Sequence, residues 1–444
     1  MTFDHETLSL LSDALKQLDA GFDHLPDVES TADADALARV LGEVAVRMRD
    51  NYPYQHPQYI GQMLKPPHPM ARLAYSLAVF LNPNNHAMDG GRASSRMEKE
   101  AVADLARMVG WEEHLGHLCS GGTMANFESL WVARELRPGE AVAASSLAHY
   151  THSRLSSVLQ VPFHAVPVDA WGRMDVDALE QLLEAESIGT VVVTLGTTAA
   201  GTVDPLDRIL PLREKYGFRI HVDAAYGGYF RLVQNLRDET ARAFAAMPAA
   251  DSIVIDPHKH GLQPYGCGCV LFRDPSVGRI YRHDSPYTYF TSDELHLGEI
   301  SLECSRPGAA AVALWATQQL LPPVPGGEFA AGLEEGREAA LELHEWLSED
   351  SRFVPLMEPE LDIVIWAVRA EAASESSRRA REFFEEAERR DVYLALASFS
   401  REMAEAAGPV DEWDEESVLC LRACAMKPEH REWMGEIVGR LEEA

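Results

Sequence analysis

Along the first fifty residues the apolar positions return every three or four residues. Leu8, Leu11, Leu15 and Leu18 share one helical face, and Leu37, Val40, Leu41 and Val44 share another, so two helices joined by a polar turn are predicted. Residues 51–95 break that rhythm. Pro53, Pro57, Pro66, Pro67, Pro69 and Pro83, then Gly90 and Gly91, leave one helix near Met70–Leu81 and otherwise loop. From Met97 the pattern alternates. Helical stretches at 98–109, 121–137, 176–186 and 206–216 are separated by short apolar runs. These are AVAASS (141–146), FHAVPV (163–168), TVVVTL (190–195), RIHVDA (219–224), SIVIDP (252–257) and CGCVLFRD (267–274). Such alternation predicts an α/β fold with a mostly parallel sheet covered by helices. After the turn-rich PPVPGG (322–327) come helices at 329–347, 377–391 and 428–441 and strands at 362–368 and 418–425, a smaller α+β unit. The organisation expected is an N-terminal helical and loop segment (1–95), a large domain (96–321) and a small C-terminal domain (322–444).

At 444 residues the chain has length for one large core and a smaller one, and its 46 % hydrophobic content is ordinary for a folded protein. A formal net charge of −31 repels polyanions, so neither nucleic acid nor an anionic membrane is an expected partner. The six cysteines form no CxxC pair, and Cys267 and Cys269 alternate as on a strand. Free thiols in a reducing compartment are expected, rather than disulfides or a metal site. The acidic, amphipathic N-terminus MTFDHETLSLLSDAL is unlike a signal peptide, and no apolar run is long enough to span a membrane. The expected location is the cytoplasm.

Four segments carry chemistry, each close to the carboxyl end of a predicted strand, the edge where open α/β sheets bind ligands. Ser120-Gly121-Gly122-Thr123 opens a helix, and a glycine-rich helix start offers backbone amides to an anion; its alternative reading is a structural cap with Thr123 as the capping side chain. His149, in Leu147-Ala148-His149-Tyr150, is an imidazole able to stack on a ring or move a proton. In His221-Val222-Asp223-Ala224-Ala225-Tyr226-Gly227-Gly228 a carboxylate ends an apolar strand, where it needs a cationic partner such as a protonated ring nitrogen, and Ala225 leaves room for a flat ring. Asp256-Pro257-His258-Lys259-His260-Gly261 sets a lysine beside two histidines after an apolar strand; desolvation there makes its amine a Schiff-base nucleophile.

In order and spacing these segments resemble the group II pyridoxal phosphate-dependent amino-acid decarboxylases, which include the aromatic amino-acid, glutamate and archaeal tyrosine/aspartate decarboxylases. The resemblance runs from about Tyr52 to Arg422, and DPHK with the upstream HVDAAYGG is its most specific part. It implies the type I fold of pyridoxal phosphate (PLP) enzymes, a homodimer, PLP as cofactor and conversion of an L-amino acid to its amine and CO2. It further implies that Lys259 forms the Schiff base through which a quinonoid is reached. Gly122, Thr123, Ser252 and His258 would hold the phosphate, Asp223 the ring nitrogen, Ala225 and His149 the two faces of the ring, and Thr198 would lie near the cofactor. His149 would also face the substrate carboxylate. Tyr289, with Tyr287 close behind, is the candidate proton donor to Cα; its alternative is aromatic packing at a subunit contact.

The chain also departs from the pattern. Asp256 stands where several relatives have Asn and is expected to turn away from the phosphate or bond to backbone amides. His260 replaces an aromatic residue common in the aromatic decarboxylases. Tyr54-Gln55-His56-Pro57-Gln58-Tyr59 resembles the family's substrate-pocket loop, and Arg422 has two readings, a substrate carboxylate or a salt bridge of the fold. Other reactions on the same fold remain as alternatives: a carbon–carbon lyase, an aldehyde synthase or an aminotransferase.

Overall fold

A computed structural model of the chain describes residues 5–26, 28, 31–282 and 301–444. Helices α1 (His5–Ala20) and α2 (Ala34–Arg47) come first, followed by α3 (Pro69–Val79) and α4 (Arg92–Val109). Capping fixes several ends. Asp33 accepts the amide hydrogens of Asp35 and Ala36 at the start of α2, and α4 stops at Gly110, whose φ of 103° belongs to the left-handed region glycine favours.

A seven-stranded sheet follows, in the order β1-β7-β6-β5-β4-β2-β3. Its strands are β1 (Leu115–Cys119), β2 (Ala141–Ser145), β3 (Phe163–Val166), β4 (Ile188–Thr194), β5 (Arg219–Asp223), β6 (Ser252–Ile255) and β7 (Gly268–Phe272). Between them run α5 (Gly122–Leu136), α6 (Thr151–Val158), α7 (Val176–Ala185), α8 (Leu206–Tyr216) and α9 (Asp238–Ala245). The pairs from β6 to β3 are parallel, whereas β7 is antiparallel to both β6 and β1. β1 therefore runs in the same direction as β2 to β6, and all six have their carboxyl ends at one edge.

The β-branched run in β4 explains its central place. Val191, Val192 and Val193 are each fully buried, on both faces of the sheet, and each burial is worth roughly 1.5–3 kcal/mol. β1 is absent from the sequence-based expectation because LGHLC carries no such run. Its His117 is instead buried against Glu128 of α5 at 2.8 Å.

A second sheet has the order β11-β13-β9-β8, built from β8 (Phe353–Pro355), β9 (Ile363–Val368), β11 (Ala395–Ser400) and β13 (Ser417–Cys424) and antiparallel throughout. A small parallel pair, β10 (Ala370–Ala372) with β12 (Val410–Glu412), lies beside it. Helices Glu328–Glu349, Ala373–Arg389 and His430–Glu442 complete this part. Trp366, fully buried, centres its core. No helix among the described residues is long and apolar enough to cross a membrane.

Candidate active site

The shared strand edge opens into a cavity of about 410 Å³. Gly122, Thr123, His149, Thr198, Asp223, Ala225, His258 and Lys259 all line it. Ser252 does not. It begins β6, at the opposite end of the strand, and its hydroxyl lies 2.9 Å from His221 Nδ1. Four residue steps of about 3.3 Å each lead from it to Asp256, which corrects the expectation of a phosphate contact. Tyr289 and Tyr287 lie outside the described residues. A larger depression, of about 910 Å³, is lined by Arg352, Arg379, Glu382 and other charged groups near β8 and β10, far from these residues in the fold.

One end of the cavity is the turn between β1 and α5. No side chain caps α5, so Thr123 does not act as its cap and the helix start keeps its polarity facing the cavity. Gly268, the first residue of β7, packs directly on this turn. A Cβ there would come within 2.5 Å of Gly121 Cα, so only glycine permits the approach.

At the other end, Asp223 closes β5. Its Oδ2 is 2.7 Å from His152 Nε2 and accepts from Asn126 Nδ2 at 3.2 Å, and its Oδ1 accepts the Ala225 amide at 3.1 Å. A second row continues behind it: Asn126 Oδ1 is 2.7 Å from His221 Nε2, and His221 reaches Ser252. Burial opposes the charge on Asp223, but the hydrogen bond and charge of His152, with Lys259 beyond, overcome it and hold the carboxyl well below its usual range. Burial also drives His221 down to about 3, so that ring is neutral. Asn126, His152 and His221 were not singled out in the sequence. Their spacing held a signal: His152 follows His149, and Asn126 follows Gly122, by one helical turn.

Lys259 Nζ lies 3.2 Å from Asp256 Oδ2, and His258 Nε2 lies 3.5 Å from the same oxygen. Asp256 thus points into the site, contrary to expectation, because the backbone turn that presents Lys259 folds the two side chains onto one side. His149 faces the cavity with Nδ1 2.6 Å from Thr151 Oγ1, and burial, the largest influence, lowers its pKa. Thr198 sits in a loop pinned by the 2.8 Å contact between the Thr197 and Thr202 hydroxyls. Arg422 donates to the carbonyls of Thr198, Ala199 and Gly61 and does not line the cavity. Its guanidinium therefore braces that loop rather than meeting a substrate. His260 turns away, its Nε2 3.3 Å from Asp362, beside a separate cavity of about 500 Å³ that Lys65 and Lys427 also line.

These features fit PLP on structural grounds. Asp223 is a buried carboxylate kept ionised for a cationic ring nitrogen, with Ala225 beside it. His258 Nδ1 is buried without a hydrogen-bond partner, at the end where the uncapped helix would receive a phosphate.

Comparison with known proteins agrees. Residues 133–369 match the model described as the pyridoxal-dependent decarboxylase conserved domain. The L-tyrosine decarboxylase of Enterococcus faecium is 28 % identical, over 78 % of this chain and 74 % of its own length. A probable L-tyrosine/L-aspartate decarboxylase of Methanocella arvoryzae is 30 % identical, over 73 % of this chain and 83 % of its own length. Among solved structures, Oryza sativa TDC with PLP and tryptamine superposes with a TM-score of 0.77 at 18 % identity, covering 99 % of this chain and 96 % of that one. The fold is that of the type I PLP enzymes, the cofactor is pyridoxal phosphate, and the chain belongs to the pyridoxal-dependent decarboxylase family.

Proposed function

We propose that this enzyme removes CO2 from an L-amino acid, using Lys259 to anchor the cofactor and Asp223 to keep its ring nitrogen protonated. The observation that carries the reading is the pairing, across one cavity, of a buried carboxylate held ionised and a lysine amine. Bound pyridoxal phosphate supplies an electron sink for the pair released when the carboxylate carbon departs. The protein's residues do the rest. The start of α5 at Gly122 and Thr123, with His258, binds the phosphate. Asp223, fixed by His152 and Asn126, holds a proton at the ring nitrogen. Ala225 and His149 bound the two faces of the ring, and His149 orients the substrate carboxylate. Lys259 would offer the amine to which the cofactor attaches. Tyr289 or Tyr287 would return a proton to Cα.

The tyrosine and aspartate named for the relatives are the substrates to assay first, followed by the other common L-amino acids. Purified protein is expected to show a visible absorption band that Lys259→Ala removes, and to release CO2 and amine in equal amounts from one substrate class. A band without CO2 release from any amino acid would overturn decarboxylation and leave the cofactor site standing.

We further infer a homodimer working in the cytoplasm. Leu37, Val40, Leu41 and Val44 of α2, with Met48 just beyond it, form one apolar stripe, and no residue of α2 is buried within the chain. Such a stripe is covered in a stable assembly. Five of the six cysteines are buried free thiols, in keeping with a reducing compartment.

A further inference from the structure

Asp256 puts a negative charge where the site is arranged to receive another. The residue is 2 % exposed and lies against the start of α5: a Cβ on Gly122 would meet its Oδ2 at 2.7 Å. That oxygen lies 3.2 Å from Lys259 Nζ, while Oδ1 has no hydrogen-bond partner.

The other titratable groups facing Asp256 leave it without a second cation. His258 shares its loop, and His149 faces it across the cavity; burial lowers the pKa of both, so neither is charged at neutral pH. Burial raises the phenols of Tyr229 and Tyr265 and the thiols of Cys119, Cys267 and Cys269, which stay neutral. Among the described residues, Lys259 is the one lysine or arginine within 4 Å of this carboxylate.

Cofactor loading removes that partner. The Lys259 nitrogen must give up its extra proton before its lone pair can attack the aldehyde carbon. At the same moment a phosphate arrives at Gly122 and Thr123, and a like charge at close range disfavours an ionised carboxylate. We propose that Asp256 is the proton acceptor of cofactor loading. The proton passes from Lys259 Nζ to Asp256 Oδ2 along their existing contact. The amine then forms its double bond to the aldehyde carbon, and the aldehyde oxygen leaves with the two remaining amine hydrogens as water. Neutral Asp256 can turn an O–H towards the phosphate instead of repelling it. When the substrate's amine displaces Lys259, the proton returns. The inference rests on the phosphate position proposed above.

The test is titration of the full-length protein, freed of cofactor, with PLP between about pH 6 and pH 9, the dissociation constant being read from absorbance. Wild type and Asp256→Asn are compared, with Asp256→Ser as a second variant should the first fold poorly. The wild type should bind one proton more per cofactor than either variant, or release one fewer. Its affinity relative to the variant should then fall by close to tenfold per pH unit as pH rises. Calorimetry in buffers of different ionisation enthalpy counts the same proton directly. Equal pH slopes and equal proton counts would overturn the inference. Wild-type protein that binds pyridoxal as tightly as PLP would overturn the phosphate placement beneath it, a separate and recognisable failure.

Discussion

At the scale of single residues, the site depends on one carboxylate staying charged in a place that disfavours charge. Asp223 manages this through His152, at 2.7 Å, and Asn126, at 3.2 Å. Replacing His152 with Leu leaves the longer contacts from Asn126 and the Ala225 amide. A hydrogen bond to a charged group is worth about 1.5–3 kcal/mol, so the cofactor should bind roughly 10- to 100-fold more weakly and kcat should fall, with KM for the amino acid little changed. Cofactor titration and steady-state kinetics read this; unchanged cofactor affinity would show that His152 only fills space. The residues most visible in the sequence are those whose type names their chemistry: Lys259, Asp223 and the glycines of the turn. Ser252 misled because the resemblance supplied it by its distance from the lysine, whereas it begins β6 and so lies at the strand end away from the cavity. His152 and Asn126 escaped notice because their work is to hold Asp223, and holding requires proximity that a sequence does not display. Asp256 was read as turning away on the electrostatics of the loaded site. The turn that presents Lys259 instead brings the two side chains together, with Asp256 Oδ2 3.2 Å from Lys259 Nζ.

Elements were legible in proportion to how far their burial is uniform. β4 and β6, buried throughout, announce themselves as apolar runs. β1 is equally buried but spends one position on His117, whose partner Glu128 lies on the next helix, so its pattern reads as neither strand nor helix. β11 is half exposed and alternates weakly. The antiparallel β7 matters for the site through one position. Gly268→Ala would force a methyl to 2.5 Å from Gly121 Cα, so the turn before α5 must shift. Crowding of that kind costs about 1–3 kcal/mol. The denaturation midpoint should fall accordingly and PLP affinity should drop by about tenfold or more. Intact affinity in a destabilised variant would separate the turn from phosphate binding.

For the whole molecule, the alternating pattern was enough to place the large sheet and the later α+β region, and not enough to say what covers α2. Light scattering should give twice the chain mass. Leu41→Glu, in the middle of the exposed stripe, should shift the assembly towards monomer by introducing a charge that must be desolvated to pair. A wild-type monomer with full activity would remove the homodimer.

The cysteines have a use beyond their chemistry. Cys119, Cys267 and Cys269 are sealed in or beside the large sheet, Cys420 and Cys424 in the second sheet, and Cys304 alone is exposed. A thiol reagent therefore meets one sulfur at once and the others only when their sheet opens. Once Cys304 is blocked, the labelling rates of the two groups become clocks for the opening of each sheet, read in the native protein without denaturant. The buried thiols thus also report how often each half of the fold breathes.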